Sequence, residues 1–274
     1  MFGTRLVSGI ILIIIAVAAF VSGGPLLAGV LLVISLIGYR ELTKALQVNT
    51  ESRGLNAPEI VGMIGIVCFY AAIYFSDSDT LILACIVGVF MAEMFLYVVK
   101  FPKYASAQVT ASVFSFLYAP VMLSFIYQTR ELQYGQYMVW LILLSSWGCD
   151  TCAYAVGMLI GKKKIFPVLS PKKSLEGCIG GVAGAALLGG LYAYFVVDKV
   201  IADQNVLWTV VVICALGSVM SMVGDLAASA IKRNHNIKDY GKLIPGHGGI
   251  MDRFDSVIVT APMIYFLTVL MISI

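Results

Sequence analysis

The chain has 274 residues, 60% hydrophobic and 12% charged, with a formal net charge of +3 and a mean hydropathy of +0.95. Soluble domains carry roughly 25% charged residues, so a water-soluble globule is excluded and lipid must be the main solvent. The modest positive charge makes no basic tail and no aromatic–basic alternation, which argues against nucleic acid as a partner.

A bilayer core of ~30 Å needs ~20 apolar residues per helix. Nine segments meet that scale: 6–22, 25–40, 59–76, 80–99, 109–128, 136–160, 177–197, 206–224 and 255–273. The predicted fold is all-α, a polytopic integral membrane protein of about nine transmembrane helices in one domain, 1–274. Residues 1–21 resemble a signal peptide, with Ala16-Val17-Ala18 as its small-residue site, but eight further apolar segments favour an uncleaved first helix. Ser22-Gly23-Gly24-Pro25 reads as a tight helical connection. The six cysteines lie in or beside apolar segments and are expected to be buried thiols. Cys149-x-x-Cys152 has no second Cys or His pair nearby to complete a zinc site.

With the N-terminus placed outside, the cytoplasmic intervals are read as 40–58, 100–108, 161–176 and 225–254. They hold fifteen of the eighteen basic residues. Positive loops stay cytoplasmic, so the polar intervals are expected to face the cytosol of a cell membrane, the inner or plasma membrane of a bacterium.

Three of these polar elements can carry chemistry. In the first, Trp147, Asp150, Tyr154, Gly157 and Gly161 recur at spacings of 3, 4, 3 and 4 and share one helix face. Gly157-x-x-x-Gly161 by itself is a packing seam, but a carboxylate such as Asp150 within a span marks a polar pathway or a paired site. Glu93, also inside a span, is open between a buried structural pair and a site role. In the second element, Lys162–Lys164 need only the positive-inside rule. Ser170-Pro171-Lys172-Lys173-Ser174 gathers hydroxyls and ammoniums just before a helix that Ser174 would cap, and helix N-termini favour phosphate.

The third element, 225–256, is the longest polar interval. If the eighth helix continues past Gly224, then Asp225, Ser229 and Lys232 lie on one face, and Asp252 and Asp255 share a face at the start of the ninth. Carboxylates without a His/Cys quartet suit a hard cation such as Mg²⁺. Gly246-His247-Gly248-Gly249 allows a bent loop whose amides turn toward phosphate, and Lys232, Arg233, Lys238 and Lys242 add positive charge. Those are the parts of phosphoryl or nucleotidyl transfer. Neither a Walker A spacing nor G-x-G-x-x-G occurs.

Ser229-Ala230-Ile231-Lys232-Arg233, Lys238-Asp239 and the run from Pro245 to Asp255, PGHGGIMDRFD, resemble the signature of phosphatidate cytidylyltransferases, the CDP-diacylglycerol synthases. The Trp147–Lys162 and Ser170–Gly177 segments look like further motifs of that family. Two departures stand out: Ser174 where Thr is expected, and Ala228 where an acidic residue is common, which removes one carboxylate.

The resemblance implies that CTP and phosphatidic acid give CDP-diacylglycerol and pyrophosphate. Asp225, Asp252 and Asp255 would then hold Mg²⁺ and, with Lys232, form the reacting centre. A second cation, Mg²⁺ or K⁺, is left open. Arg233, His247, Gly248, Gly249, Arg253, Ser170, Lys172, Lys173, Ser174 and Asp150 would bind substrate phosphates. Asp239 has no assigned role. Membrane lipids surround the chain, and a homodimer is left open beside a monomer. One alternative is a CTP-dependent polyprenol or phytol kinase, which would release CDP rather than pyrophosphate. A more distant one is a secondary transporter, which requires repeated broken helices that the sequence does not display.

Overall fold

A computed structural model describes residues 2–50, 54–76, 78–201, 205–243 and 248–272, apart from the side chains of 2–8, 10 and 12. Eleven α-helices follow one another: α1 Phe2–Ser22, α2 Gly24–Ala45, α3 Ala57–Phe75, α4 Asp79–Val99, α5 Ser106–Phe116, α6 Met122–Glu131, α7 Gly135–Leu143, α8 Cys149–Ile160, α9 Leu175–Phe195, α10 Val206–Asn234 and α11 Met251–Met271. No strand occurs among the described residues; one isolated bridge joins Lys164 and Ser174. Single π-helical turns, Leu117–Val121 and Leu144–Gly148, link α5 to α6 and α7 to α8. Pro120 accounts for the first, because it supplies no N–H to the helical ladder. The second immediately precedes Asp150, and π turns recur at functional sites.

Among the described residues, eight helical stretches are long and apolar enough to cross a membrane, with α5–α6 and α7–α8 counting as one each. They begin at α2, and the ninth expected span falls on α1. If these eight stretches alternate across a bilayer, the intervals after α2, α4, α8 and α10 share one side, and an N-terminus on the opposite side, as read from sequence, goes with eight crossings and not with nine.

Two compact units emerge, Met1–Ser124 with His235–Arg253, and Phe125–Asn234 with Phe254–Ile274. In the first unit, helices approach wherever small residues permit. A Cβ on Gly62 would strike the Tyr39 ring, and one on Gly65 would strike Val89. Tyr39 is fully buried. Its hydroxyl lies 2.8 Å from Ser112 Oγ, which donates to Glu93 Oε1 at 2.7 Å. Glu93 therefore ties α4 to α5 and α2 inside the packing, which is the structural of its two readings.

Glu59 is fully buried and accepts from Arg40, from Thr43 Oγ1 at 3.0 Å and from Asn49 Nδ2 at 3.2 Å. It also completes a capping box with Asn56 at the start of α3. A charge buried with this many partners is tolerated in a span.

In the second unit, α9 presses a row of glycines against α8. A Cβ on Gly177 would come 2.9 Å from Ala153 O, and one on Gly181 would come 2.9 Å from Cys149 Sγ. Gly184 meets Cys152 in the same way. Such contact depends on residues without side chains, as in other membrane helix pairs. Gly157 joins this seam, 3.8 Å from Gly177 Cα by the same measure, but the α9 glycines carry most of it. Cys149 and Cys152 therefore pack as small apolar groups, and all six cysteines are free thiols.

Candidate active site

The second unit brings together the first two polar elements and the two ends of the third, 225–234 and 254–256. Between α8 and α9 the chain folds into a short loop. Leu175 N donates to Lys163 O at 2.8 Å, and the Lys164 ammonium donates to Lys172 O at 2.9 Å. Glu176, in the first turn of α9, accepts from the amides of Lys162 and Lys163 at 3.1–3.2 Å. Ser174 caps α9 as expected, its hydroxyl accepting from Gly177 N at 3.2 Å.

A cavity of about 410 Å³ opens beside this loop. Its walls include Asp150, Tyr154 and Gly157 from α8 and Lys172, Lys173 and Ser174 from the loop. Two segments separated by some twenty residues of sequence thus face one space. Lys164, read from sequence as a topology residue, also lines it.

The third element enters from α10 and α11. Helix α10 runs ten residues past Gly224, so the condition placed on Asp225, Ser229 and Lys232 is met. Lys173 Nζ lies 2.5 Å from Asp225 Oδ2. Ser256 Oγ lies 3.5 Å from Asp150 Oδ2, and Asp255 Oδ1 accepts from Ser256 N at 2.9 Å. The charges of Asp225, Lys232 and Asp150 all act on the Asp255 carboxylate. Three carboxyl groups, Asp150, Asp225 and Asp255, therefore share one region with Lys173 and Lys232.

Not every expected residue joins it. Ser170 forms the turn, its amide donating to Phe166 O at 2.9 Å and its carbonyl accepting from Lys173 N at 3.1 Å. It positions Lys173 rather than lining the cavity. Arg233 is exposed at the end of α10. His247 lies outside the described residues.

Gly248, Gly249, Asp252 and Arg253 belong to the first unit. Gly248 has φ 86°, a left-handed conformation that favours glycine. Asp252 Oδ2 accepts from Gly249 N at 3.0 Å and Tyr240 N at 2.8 Å, so this carboxylate holds the glycine loop. Arg253 is half-buried, and its Nε has no hydrogen-bond partner among the described residues. Asp239 is exposed.

Sequence reasoning missed Glu41. This residue of α2 sends Oε1 to Ile250 N at 3.1 Å and Oε2 to Met251 N at 2.9 Å. A Cβ on Gly241 or Gly249 would collide with its carboxylate. The first amides of a helix lack internal acceptors, and Glu41 supplies them. As a result α11 begins at Met251, four residues before the apolar run at 255, and carries Asp252 and Asp255 at its start as read from sequence. The available signal was an acidic residue near the end of an apolar span. Glu41→Gln puts an amide donor against a backbone donor. We expect it to cost about 1–3 kcal/mol of stability, read as a lowered unfolding midpoint in detergent. An unchanged midpoint would remove Glu41 as the anchor.

Among the described residues, no three His, Cys, Asp or Glu side chains converge closely enough to hold a metal ion unaided. The donor set is nevertheless oxygen-only, as a hard cation requires.

A model of the cytidylyltransferase family matches residues 3–271. The chain belongs to the cytidylyltransferase family. Among its relatives, a phosphatidate cytidylyltransferase of Staphylococcus saprophyticus is 30% identical over 270 residues, covering 97% of this chain and 98% of the relative. That of Thermotoga maritima is 30% identical over 262 residues, covering 96% and 94%. That of Bacillus subtilis is 35% identical over 156 residues, 56% of each chain. The first two alignments run across the loop, α10 and α11 alike, so the family assignment applies to the whole site region.

Proposed function

We propose that the chain transfers the cytidylyl group of CTP to phosphatidic acid, giving CDP-diacylglycerol and pyrophosphate. The observation that carries this reading is the Lys173–Asp225 pair at the cavity that Asp150, Lys172 and Ser174 also line. It joins a phosphate-attracting helix N-terminus to a carboxylate cluster, within a family whose named relatives act on phosphatidate.

Lys172, Lys173 and the positive end of the α9 dipole attract the triphosphate. Lys232 and Arg233, near the end of α10, add charge for the pyrophosphate leaving group, with His247 assigned the same role by the resemblance. Asp225 and Asp255 are the proposed Mg²⁺ ligands, and the resemblance adds Asp252, one turn earlier on α11. Mg²⁺ keeps several waters and takes one or two protein carboxylates plus substrate phosphates, so carboxylates that form no closed cage fit it. When bound, the ion neutralises phosphate charge during the displacement.

An oxygen of the lipid phosphate attacks the α-phosphorus of CTP, and the bond to the β-phosphate oxygen breaks in line. A phosphate monoester has its second pKa near ~6, so it is already anionic at neutral pH and needs no base.

We further propose that the chain acts as one cytidylyltransferase domain in a bacterial inner or plasma membrane. Its basic loops and the site face the cytoplasm, where CTP is found. The positive-inside rule supports this orientation.

The deciding experiment incubates the full purified chain with CTP, Mg²⁺ and a panel of lipid phosphates and polyprenols. Pyrophosphate and a CDP-lipid should accumulate with phosphatidic acid. Release of CDP with a phosphorylated alcohol would replace this reading with a lipid kinase.

A further inference from the structure

The first unit contains a cavity of about 690 Å³ that shares no lining residue with the site in the second unit. Its polar wall presents Arg40 and Lys44 from the last turns of α2 and Lys242 from the segment after Tyr240. Arg40 is held rigid by Glu59 and by Gly54 O, the latter at 2.8 Å. Glu41, the one described acid in the wall, already spends both oxygens on Ile250 and Met251. Lys44 and Lys242 are exposed, and neither ammonium has an ion-pair or hydrogen-bond partner among the described residues.

The other wall is apolar. Leu36 and Ile37 lie on α2 about two turns inside the span from Lys44, Met63 faces them from α3, and Leu243 is 56% exposed beside Lys242. The lining thus changes from hydrocarbon to ammonium along the axis of a membrane helix, at the end of its span. A nucleotide or free phosphate would use only the charged wall. A phospholipid with a net negative headgroup uses both: acyl chain against Leu36, Ile37 and Met63, phosphate against Lys44 and Lys242.

We infer that this cavity is a binding site for an intact anionic phospholipid, held by its phosphate and not chemically changed. Phosphodiester lipids suffice, because the described lining residues include no carboxylate cluster with which to react them.

The test embeds the full chain in phosphatidylcholine nanodiscs containing phosphatidylglycerol with a photoactivatable acyl chain, and maps the crosslinks by peptide mass spectrometry. Crosslinks should fall on 36–44, Met63 and 240–243. Lys44→Gln with Lys242→Gln should reduce them about tenfold, as expected for losing charge-assisted hydrogen bonds. Excess CTP or inorganic phosphate should leave them unchanged.

Equal labelling by a phosphatidylcholine probe, or full labelling of the double variant, would overturn the site. Displacement by CTP or phosphate would assign the cavity to a soluble anion instead. Both lysines are exposed, and Lys242→Gln alone, expected to weaken labelling in the same direction, serves if the double variant does not fold. No turnover enters the readout, so the result is independent of the reaction proposed above.

Discussion

Asp255→Asn should lower CTP-dependent turnover about a thousandfold, the scale found when a group that stabilises transition-state charge is removed. The substitution keeps the side chain's shape and leaves an amide oxygen to accept the Ser256 amide, now donated to Asp255 Oδ1 at 2.9 Å. Its main effect is to remove an ionisable oxygen ligand from a cluster that includes Asp225 and Asp150. If that cluster exists to receive a cation, the variant should fold and insert normally, bind CTP-Mg²⁺ poorly and turn over slowly. Activity within a few-fold of the parent chain, measured as pyrophosphate release, would remove Asp255 from the proposed cation site.

Lys173→Gln should reduce kcat/KM for CTP about a hundredfold, at the upper end of the range for one lost charge-assisted interaction. Lys173 is half-buried, lines the cavity and pairs with Asp225 at 2.5 Å. Its loss leaves Asp225 among like charges and removes a cation from the phosphate wall. Lys172 offers a control of the same type. It is exposed, and its carbonyl rather than its ammonium is engaged, by Lys164. Lys172→Gln should therefore cost clearly less. Equal losses for the two variants would indicate a general electrostatic effect of the loop instead of a specific pairing.

The helical membrane architecture was legible because its signal is local. An apolar run long enough to cross a bilayer must satisfy its backbone internally, whatever its neighbours are. The Ser174 cap was legible for a similar reason, since capping requires only a hydroxyl and an amide three residues apart. The glycines of α9 were harder to interpret. Their spacing marks a close approach, but the partner face on α8 is known only once Ala153, Val156 and Cys149 are seen opposite them.

Two readings were extended by contacts that sequence separation conceals. The apolar run begins at 255 and Asp252 was read at the start of the same helix, but the group that completes its first turn from Met251 is Glu41, 210 positions away. Asp252 was read only as a cation ligand, and the structure also makes it the brace of the glycine loop through Tyr240 and Gly249. A carboxylate accepts hydrogen bonds and cations with the same oxygens, so residue type alone does not separate the two roles.

The sequence by itself determined the solvent of this protein, the number of its apolar helices to within one, and the family signature from Ser229 to Asp255. Those properties depend on composition and short-range order, which folding does not alter. Only the tertiary structure decided that Lys173 meets Asp225, that Asp150 stands beside Ser256, and that Glu41 meets the first amides of α11. Each of those contacts holds a charged group that lipid would reject singly. They persist because distant helices deliver a partner to each, and that delivery is a property of the packing.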